Sequence, residues 1–147
     1  MAEIKHLLKI NVPYKQVFDA LTTDSGLSSW WTPDVKCGKK EGAISRFTFS
    51  GETTFMMKIT NMSAQLVEWK CVEGPQTWIN TDIHFQLDDE GDATILHFSH
   101  TGWRSKGVIF QTCSFDWCMF LSSLRTYLEE GEAQTGKGEI RLARGVI

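Results

Sequence analysis

Hydrophobic and polar residues alternate with period two over most of the chain. From residue 44 to residue 101, Phe47 and Phe49 alternate with Arg46 and Thr48, and Phe55, Met57 and Ile59 with Thr54, Lys58 and Thr60. Val67, Trp69 and Cys71 alternate with Glu68 and Lys70. Ile79, Thr81, Ile83, Phe85 and Leu87 alternate with Asn80, Asp82, His84 and Gln86; Leu96, Phe98 and His100 alternate with Ile95, His97 and Ser99. Such alternation predicts strands with one buried and one solvated face. Gly51-Glu52 and the run Asp88-Asp89-Glu90-Gly91-Asp92 predict the turns of a meander. An earlier strand is predicted over about Glu3–Asn11, with Ile4, His6, Leu8 and Ile10 on one side and Lys5, Leu7 and Lys9 on the other.

Two segments change period. After Pro13, which suits the first turn of a helix, Val17, Phe18 and Leu21 form an apolar stripe. Gly26 is expected to break this helix from a second, short one. That one ends at Trp30-Trp31-Thr32-Pro33, because the proline biases Thr32 away from helix. From about Lys106 to Glu130, apolar residues fall at Phe110, Cys113, Trp117, Phe120, Leu121, Leu124, Tyr127 and Leu128. Their steps of three and four predict one long amphipathic helix, closed by Gly131. Residues 132–147, with Gly136, Gly138 and Gly145, read as irregular. The expected domain is therefore residues 1–133, followed by a tail over 134–147.

This order predicts an α+β fold: a strongly curved antiparallel sheet of six or seven strands around one C-terminal helix, with two short helices after the first strand. A helix is about 10 Å wide, whereas such a sheet spans about 30 Å. The sheet must curl, and the mismatch in width predicts room for an apolar small molecule between the two layers.

Bulk properties narrow the function. The 147 residues fit one domain. Net charge is -3 with the signs interspersed, which gives nucleic acid no basic stripe to follow. No apolar run approaches the ~20 residues of a membrane span, and the charged, alternating N-terminus does not read as a signal peptide. The four cysteines, Cys37, Cys71, Cys113 and Cys118, include no C-x-x-C pair. Cys113 and Cys118 point about 140° apart on a helix, so reduced thiols in a cytoplasmic protein are expected, with no metal and no cofactor.

Several segments in sequence resemble the START-like (helix-grip, SRPBCC) superfamily, in particular the group related to the heat-shock-chaperone ATPase activator. They are Val17-Phe18-Asp19-Ala20-Leu21-Thr22, then Leu27, then Trp30-Trp31-Thr32-Pro33-Asp34, and Leu66-Val67-Glu68-Trp69. Leu96-His97-Phe98-Ser99-His100-Thr101-Gly102-Trp103 resembles the last strand, and Phe115-Asp116-Trp117 with Phe120-Leu121, Leu124 and Tyr127-Leu128-Glu129 the closing helix. The resemblance runs over about residues 3 to 131 and implies a helix-grip fold with a hydrophobic cavity. Relatives include polyketide cyclases, lipid-transfer domains and chaperone activators, so it does not carry one chemistry. The chaperone activator has a separate further domain for which this chain has no room, an expectation against chaperone binding.

The expected ligand-lining set is Trp31, Phe47, Phe55, Trp69, Phe85, Phe98, His100, Trp103, Trp117 and Phe120. His100 shares parity with Leu96 and Phe98; it is read as a polar anchor or an acid/base, set against a core histidine bonded to a carbonyl. No carboxylate of matching parity accompanies it. Asp116, about 100° from Trp117, is expected at the surface or in a capping role, set against an acid reaching a pocket mouth. Val108, Phe115 and Met119 fall opposite the core stripe and predict either a homodimer face, with Leu142, Val146 and Ile147 as further apolar candidates, or a face covered by the tail itself. Three functions follow: a binding module for an apolar small molecule, a cyclase- or hydratase-type enzyme using His100, and a chaperone-interacting accessory protein. A second inward ionisable group near His100 favours the enzyme. A dry, filled interior favours an interaction protein.

Overall fold

The computed structural model describes residues 2–49 and 53–135. The Gly51-Glu52 turn and the apolar tail residues Leu142, Val146 and Ile147 lie outside them. The element order is β1 (Ala2–Ile10), α1 (Tyr14–Thr22), α2 (Asp24–Trp30), β2 (Asp34–Lys36), β3 (Ile44–Phe49), β4 (Thr53–Ser63), β5 (Leu66–Glu73), β6 (Asp82–Asp89), β7 (Thr94–Trp103) and α3 (Val108–Glu130). The seven strands form one antiparallel sheet in the order β1-β7-β6-β5-β4-β3-β2. The α+β architecture with one long C-terminal helix and two short helices after the first strand is as the periodicity predicts.

Parity decides which side chains face α3. Ile4 and Ile10 of β1 are buried and Leu7 is exposed; Phe47, Phe55, Met57, Trp69, Ile83, Phe85, Leu96, Phe98 and His100 all point inward. The sheet bends where its register slips, between Ile59 and Asn61 of β4 and between Ala2 and Ile4 of β1. An extra residue on one strand bends that strand and increases its twist. At the β4 slip, the outward Thr60 donates to Glu68 Oε1 at 2.7 Å, which ties the bend to β5.

Four local readings are corrected. The break between the short helices is at Thr23, which caps α2 by accepting from Gly26 N at 3.0 Å. Gly26 lies inside α2, and a Cβ there would sit 2.5 Å from the Ala20 Cα and 2.8 Å from the Asp19 carbonyl. Its role is close approach of two helices rather than a break. The strand expected from Ile79 starts at Asp82, since residues 75–81 form a hydrogen-bonded turn, with Trp78 N donating to Pro75 O and Thr81 N to Trp78 O. β2 was not foreseen, because three residues are too few to show alternation. The long helix starts at Val108, two residues later than its apolar pattern suggested.

Hydrogen bonds pin the layers together. Trp30 Nε1 donates to Ala20 O at 2.8 Å, and Ser123 Oγ of α3 donates to Trp30 O at 2.9 Å. Beyond α3, Gly131 adopts a left-handed conformation, φ 77°, and Gln134 N reaches Ser29 O at 2.7 Å. Residues 134 and 135, read from sequence as the start of a tail, are thus bonded to α2.

The α1–α2 contact generates a prediction. Alanine is a better helix former than glycine by about 1 kcal/mol, yet Gly26→Ala is expected to destabilise the fold by about 1–3 kcal/mol, because its Cβ meets immovable backbone. Urea unfolding measures this; a stabilised variant would show that the two helices separate freely.

Candidate functional site

The lumen between α3 and the sheet is built from rings. Trp31, at the C-terminal end of α2, packs against Phe47, Trp69 and Trp117 at centroid distances of 4.5, 5.7 and 5.3 Å, and against Phe49 at 5.3 Å. Trp117, from the buried face of α3, meets Phe98 at 4.5 Å. Trp69 and Phe85 lie 5.1 Å apart, and Phe85 and Phe98 5.2 Å. Trp31 stacks on Trp69 and Trp117, and the other pairs are tilted or edge-on; these are the spacings of aromatic pairs in a packed core. What remains is a cavity of about 10 Å³ for the centre of a water molecule, lined by Trp31, Phe49, Phe55, Trp78, Cys113, Asp116, Trp117 and Phe120. That is room for about one water, against several hundred Å³ for a ligand site.

The expected lining set therefore divides. Trp31, Phe55, Trp117 and Phe120 border the cavity. Phe47, Trp69, Phe85, Phe98, His100 and Trp103 are buried around it without lining it. Trp78, Cys113 and Asp116 border it and were not foreseen as lining. Trp78 sits in the turn before β6, where no periodicity marks it. Asp116 is 7% exposed, which corrects the expectation of a surface or capping role. An offset of about 100° from Trp117 still leaves it on the cavity that Trp31, Phe49, Phe55 and Trp78 close. Burial pushes the Cys113 thiol up to about 12, against a hydrogen bond with Trp78 and with the Asp116 charge adding to the rise.

His100 occupies a closed relay. Trp117 Nε1–H donates to His100 Nδ1 at 3.0 Å. An indole nitrogen only donates, so Nδ1 is the bare nitrogen and the proton sits on Nε2. Nε2–H then donates to Thr81 Oγ1 at 2.8 Å, and the Thr81 hydroxyl donates to Trp78 O at 2.6 Å. The rings of Trp78 and Trp103 flank the imidazole, each 4.6 Å away by centroid. Burial lowers its pKa from 6.5 to about 3, with a smaller push from His84. The histidine is neutral at pH 7, and both its nitrogens are engaged.

Two buried donors are left over: the Nε1–H groups of Trp31 and Trp103 meet no acceptor among the described residues. An orphaned buried donor costs about 1–3 kcal/mol. Of the other histidines, His84 and His97 face outward with carboxylates, His84 Nδ1 2.7 Å from Glu68 and His97 Nε2 2.7 Å from Asp88, while the half-buried His6 has Nε2 3.2 Å from Ser114 O. His84 and His97 border a concavity of about 540 Å³, which lies open on the sheet's outer face. The cysteines are free thiols, with Cys37, Cys71 and Cys113 buried and Cys118 exposed. Among the described residues no cluster of three metal-ligating side chains occurs, and no helix is long and apolar enough to cross a membrane.

Residues 11–129 match the model of the family described as activator of Hsp90 ATPase homolog 1-like protein. The chain belongs to this family. Within the START-like fold, this activator-homologue chain is similar to the Aha1 dimer from Colwellia psychrerythraea. The two share 32% identity, cover 89% of this chain and 98% of that one, and superpose with a TM-score of 0.82. DynU16, from the dynemicin biosynthetic locus, is 18% identical with a TM-score of 0.76, over 89% of this chain and 48% of its own. CalU16 from Micromonospora echinospora is 18% identical with a TM-score of 0.70, over 91% of this chain and 78% of its own. These last two likenesses show the fold alone. No curated protein sequence matches the chain.

The relay makes stability depend on pH with a definite sign. The unfolded imidazole binds a proton near pH 6.5 and the folded one near pH 3. The contribution is therefore complete above pH 6.5 and is lost as pH falls towards 3, at up to about 1.4 kcal/mol per pH unit. Urea unfolding of the wild type and of His100→Leu at pH 7, 6, 5 and 4.5 is expected to show the steeper acid loss in the wild type. Parallel slopes would mean that the buried histidine takes up a proton in the folded state.

Proposed function

We propose that the chain is a protein-interaction module that pairs with a second copy of itself through the outer face of α3. One observation carries this reading: from Val108 to Leu124 the single charged residue is Asp116, and it is buried. The solvent side of the helix over that span is Val108, Gln111, Phe115, Cys118, Met119 and Ser122, all exposed. Phe115 is 62% exposed, Val108 54% and Met119 40%. A solvated helix face carries charge, whereas interface cores are depleted in charge and enriched in Phe and Met. An uncharged stripe is also self-complementary, as a two-fold interface requires. The 32% identical relative from Colwellia psychrerythraea is a dimer, which supports the same partner here.

The filled lumen supports an interaction role over catalysis. His100 has no free nitrogen to offer a substrate, and its hydrogen-bond partners are Trp117 and Thr81 rather than a second ionisable group. It serves as a core hydrogen-bond hub.

A second reading rests on a separate observation. Trp31 borders the residual cavity with its Nε1–H unpartnered, beside the buried carboxyl of Asp116. A small aromatic guest with one acceptor atom would satisfy that donor if the rings around it part. This is a ligand-binding START-like domain in a closed state.

Sedimentation velocity separates the two readings. The wild type is expected to be dimeric at about 50 µM, and the Phe115→Asp/Met119→Lys double variant monomeric with an unchanged melting temperature. A monomeric wild type at that concentration would contradict pairing. For the guest, native mass spectrometry of the gently purified protein should release a small-molecule mass that Trp31→Phe loses. Thermal shifts with apolar acceptors should rise with concentration; a bare mass and flat melting curves would remove the second reading.

A further inference from the structure

The outer face of the sheet gathers positive charge that the sequence scatters. Lys36 of β2 stands directly opposite Arg46 of β3, and Lys58 of β4 stands between Ile44 of β3 and Lys70 of β5. The alternate residues Ser45, Phe47, Met57 and Ile59 are buried, so these cations stand on the face away from α3. Lys39 and Lys40, in the connection from β2 to β3, are exposed at the same end of the sheet. Residues 34–49 and 53–63 hold five cations, Lys36, Lys39, Lys40, Arg46 and Lys58, against two acids, Asp34 and Glu41, in a chain of net charge -3. None of the five has an ion-pair partner among the described residues, whereas Lys70 is held by Asp82 at 3.0 Å. Glu41 is engaged elsewhere, accepting from Met62 N at 3.0 Å.

The pairing itself is unfavourable for the fold. Like charges directly opposite one another weaken a sheet, and Lys36 faces Arg46 while Lys58 faces Lys70. An acid at either place would make an attractive pair instead. Among these cations lies Ile44, 46% exposed, with the half-buried Met56 beside Arg46 on β4. An exposed apolar residue flanked by unpaired cations is a surface with two complementary demands, negative charge and a small apolar contact.

We propose that this patch docks an acidic, extended segment of a partner protein that carries one apolar residue among its carboxylates. Arg46 takes a carboxylate bidentately, Lys36 and Lys58 take those on either side, and the apolar residue covers Ile44. Side chains on one side of an extended segment recur every ~7 Å, which matches the two-residue step from the row of Lys36 and Arg46 to the row of Ile44 and Lys58. The phosphates of a nucleic acid offer Ile44 no apolar contact. A bilayer meets the longer lysine and arginine side chains before it reaches Ile44. The patch lies across the sheet from α3, so it is a second surface beyond the pairing face and stays open in each copy of the pair.

The test titrates the full chain with a synthetic peptide of about six residues, glutamates around one central leucine, long enough to cross the patch. A control peptide has glutamine in place of every glutamate. Two-dimensional NMR is expected to show one saturable process at the amides of Lys36, Ile44, Arg46 and Lys58, with a Kd of about 0.1–1 mM at low salt. The affinity should fall roughly tenfold between about 10 mM and about 150 mM salt, as the screening length drops from about 30 Å to about 8 Å. Arg46→Glu is expected to weaken binding at least tenfold. The same change should raise the melting temperature by about 1–4 °C, because it turns the like-charge pair with Lys36 into an opposite one. Lys58→Gln should weaken binding roughly threefold with the fold intact. No saturable shift, equal binding of the glutamine control, or wild-type affinity in Arg46→Glu would overturn the proposal. Tighter binding of the same residues to vesicles of phosphatidylcholine and phosphatidylserine would overturn it in favour of a membrane. The Phe115→Asp/Met119→Lys variant is titrated alongside and should bind the peptide equally, so failure of pairing through α3 and failure of this site are read separately.

Discussion

A single helix laid across a bent seven-stranded sheet leaves a gap, and the whole molecule depends on how that gap is closed. Here it is closed by rings. Trp31 enters from the end of α2, Trp117 from α3, and Phe47, Trp69, Phe85 and Phe98 from the sheet. Each aromatic side chain buries roughly 150–250 Å², so a handful spans the distance that a narrow rod leaves open. The position of α3 follows from this packing. So does the direction of its other face, which turns Phe115 and Met119 towards solvent. The smallness of the residual cavity and the apolar exterior of α3 are two consequences of one arrangement.

Polar groups within that arrangement are placed by it rather than for chemistry. Thr81, His100 and Trp117 come from the turn before β6, from β7 and from α3, and their hydrogen bonds join the three at one point. Each bond contributes about 1 kcal/mol, but breaking one strands a buried partner. The relay therefore specifies the register between α3 and the sheet more than it adds stability. A histidine suits the middle of such a chain because its neutral ring donates on one side and accepts on the other. Burial keeps it in that form across the physiological range.

Much of this was legible in the sequence, and the remainder was hidden for physical reasons. Period two placed Phe47, Phe55, Trp69, Phe85, Phe98 and His100 inward, because a strand has only two faces. The helical stripe placed Trp117 and Phe120 inward and Val108, Phe115 and Met119 outward. Trp78 escaped, since a turn has no period to read. Asp116 is hard to place because a charged residue on the flank of a stripe reads as solvated, yet it borders a cavity closed by Trp31, Phe49, Phe55 and Trp78. Backbone dimensions alone predict an opening between one helix and a broad sheet. They leave out the volume of the rings, which nearly fills the space. Unpaired N–H groups on Trp31 and Trp103 have no signature in a sequence, because pairing is a property of three-dimensional neighbours.

The central claim is that the lumen beneath α3 is closed in the ground state, with room for no more than about one water. Xenon enters apolar cavities of about 150 Å³, so crystals of the protein pressurised with xenon probe it directly. The account predicts no xenon site among Trp31, Phe55, Trp78, Trp117 and Phe120. A well-occupied xenon atom at that place, with the rings parted around it, would contradict the closed interior.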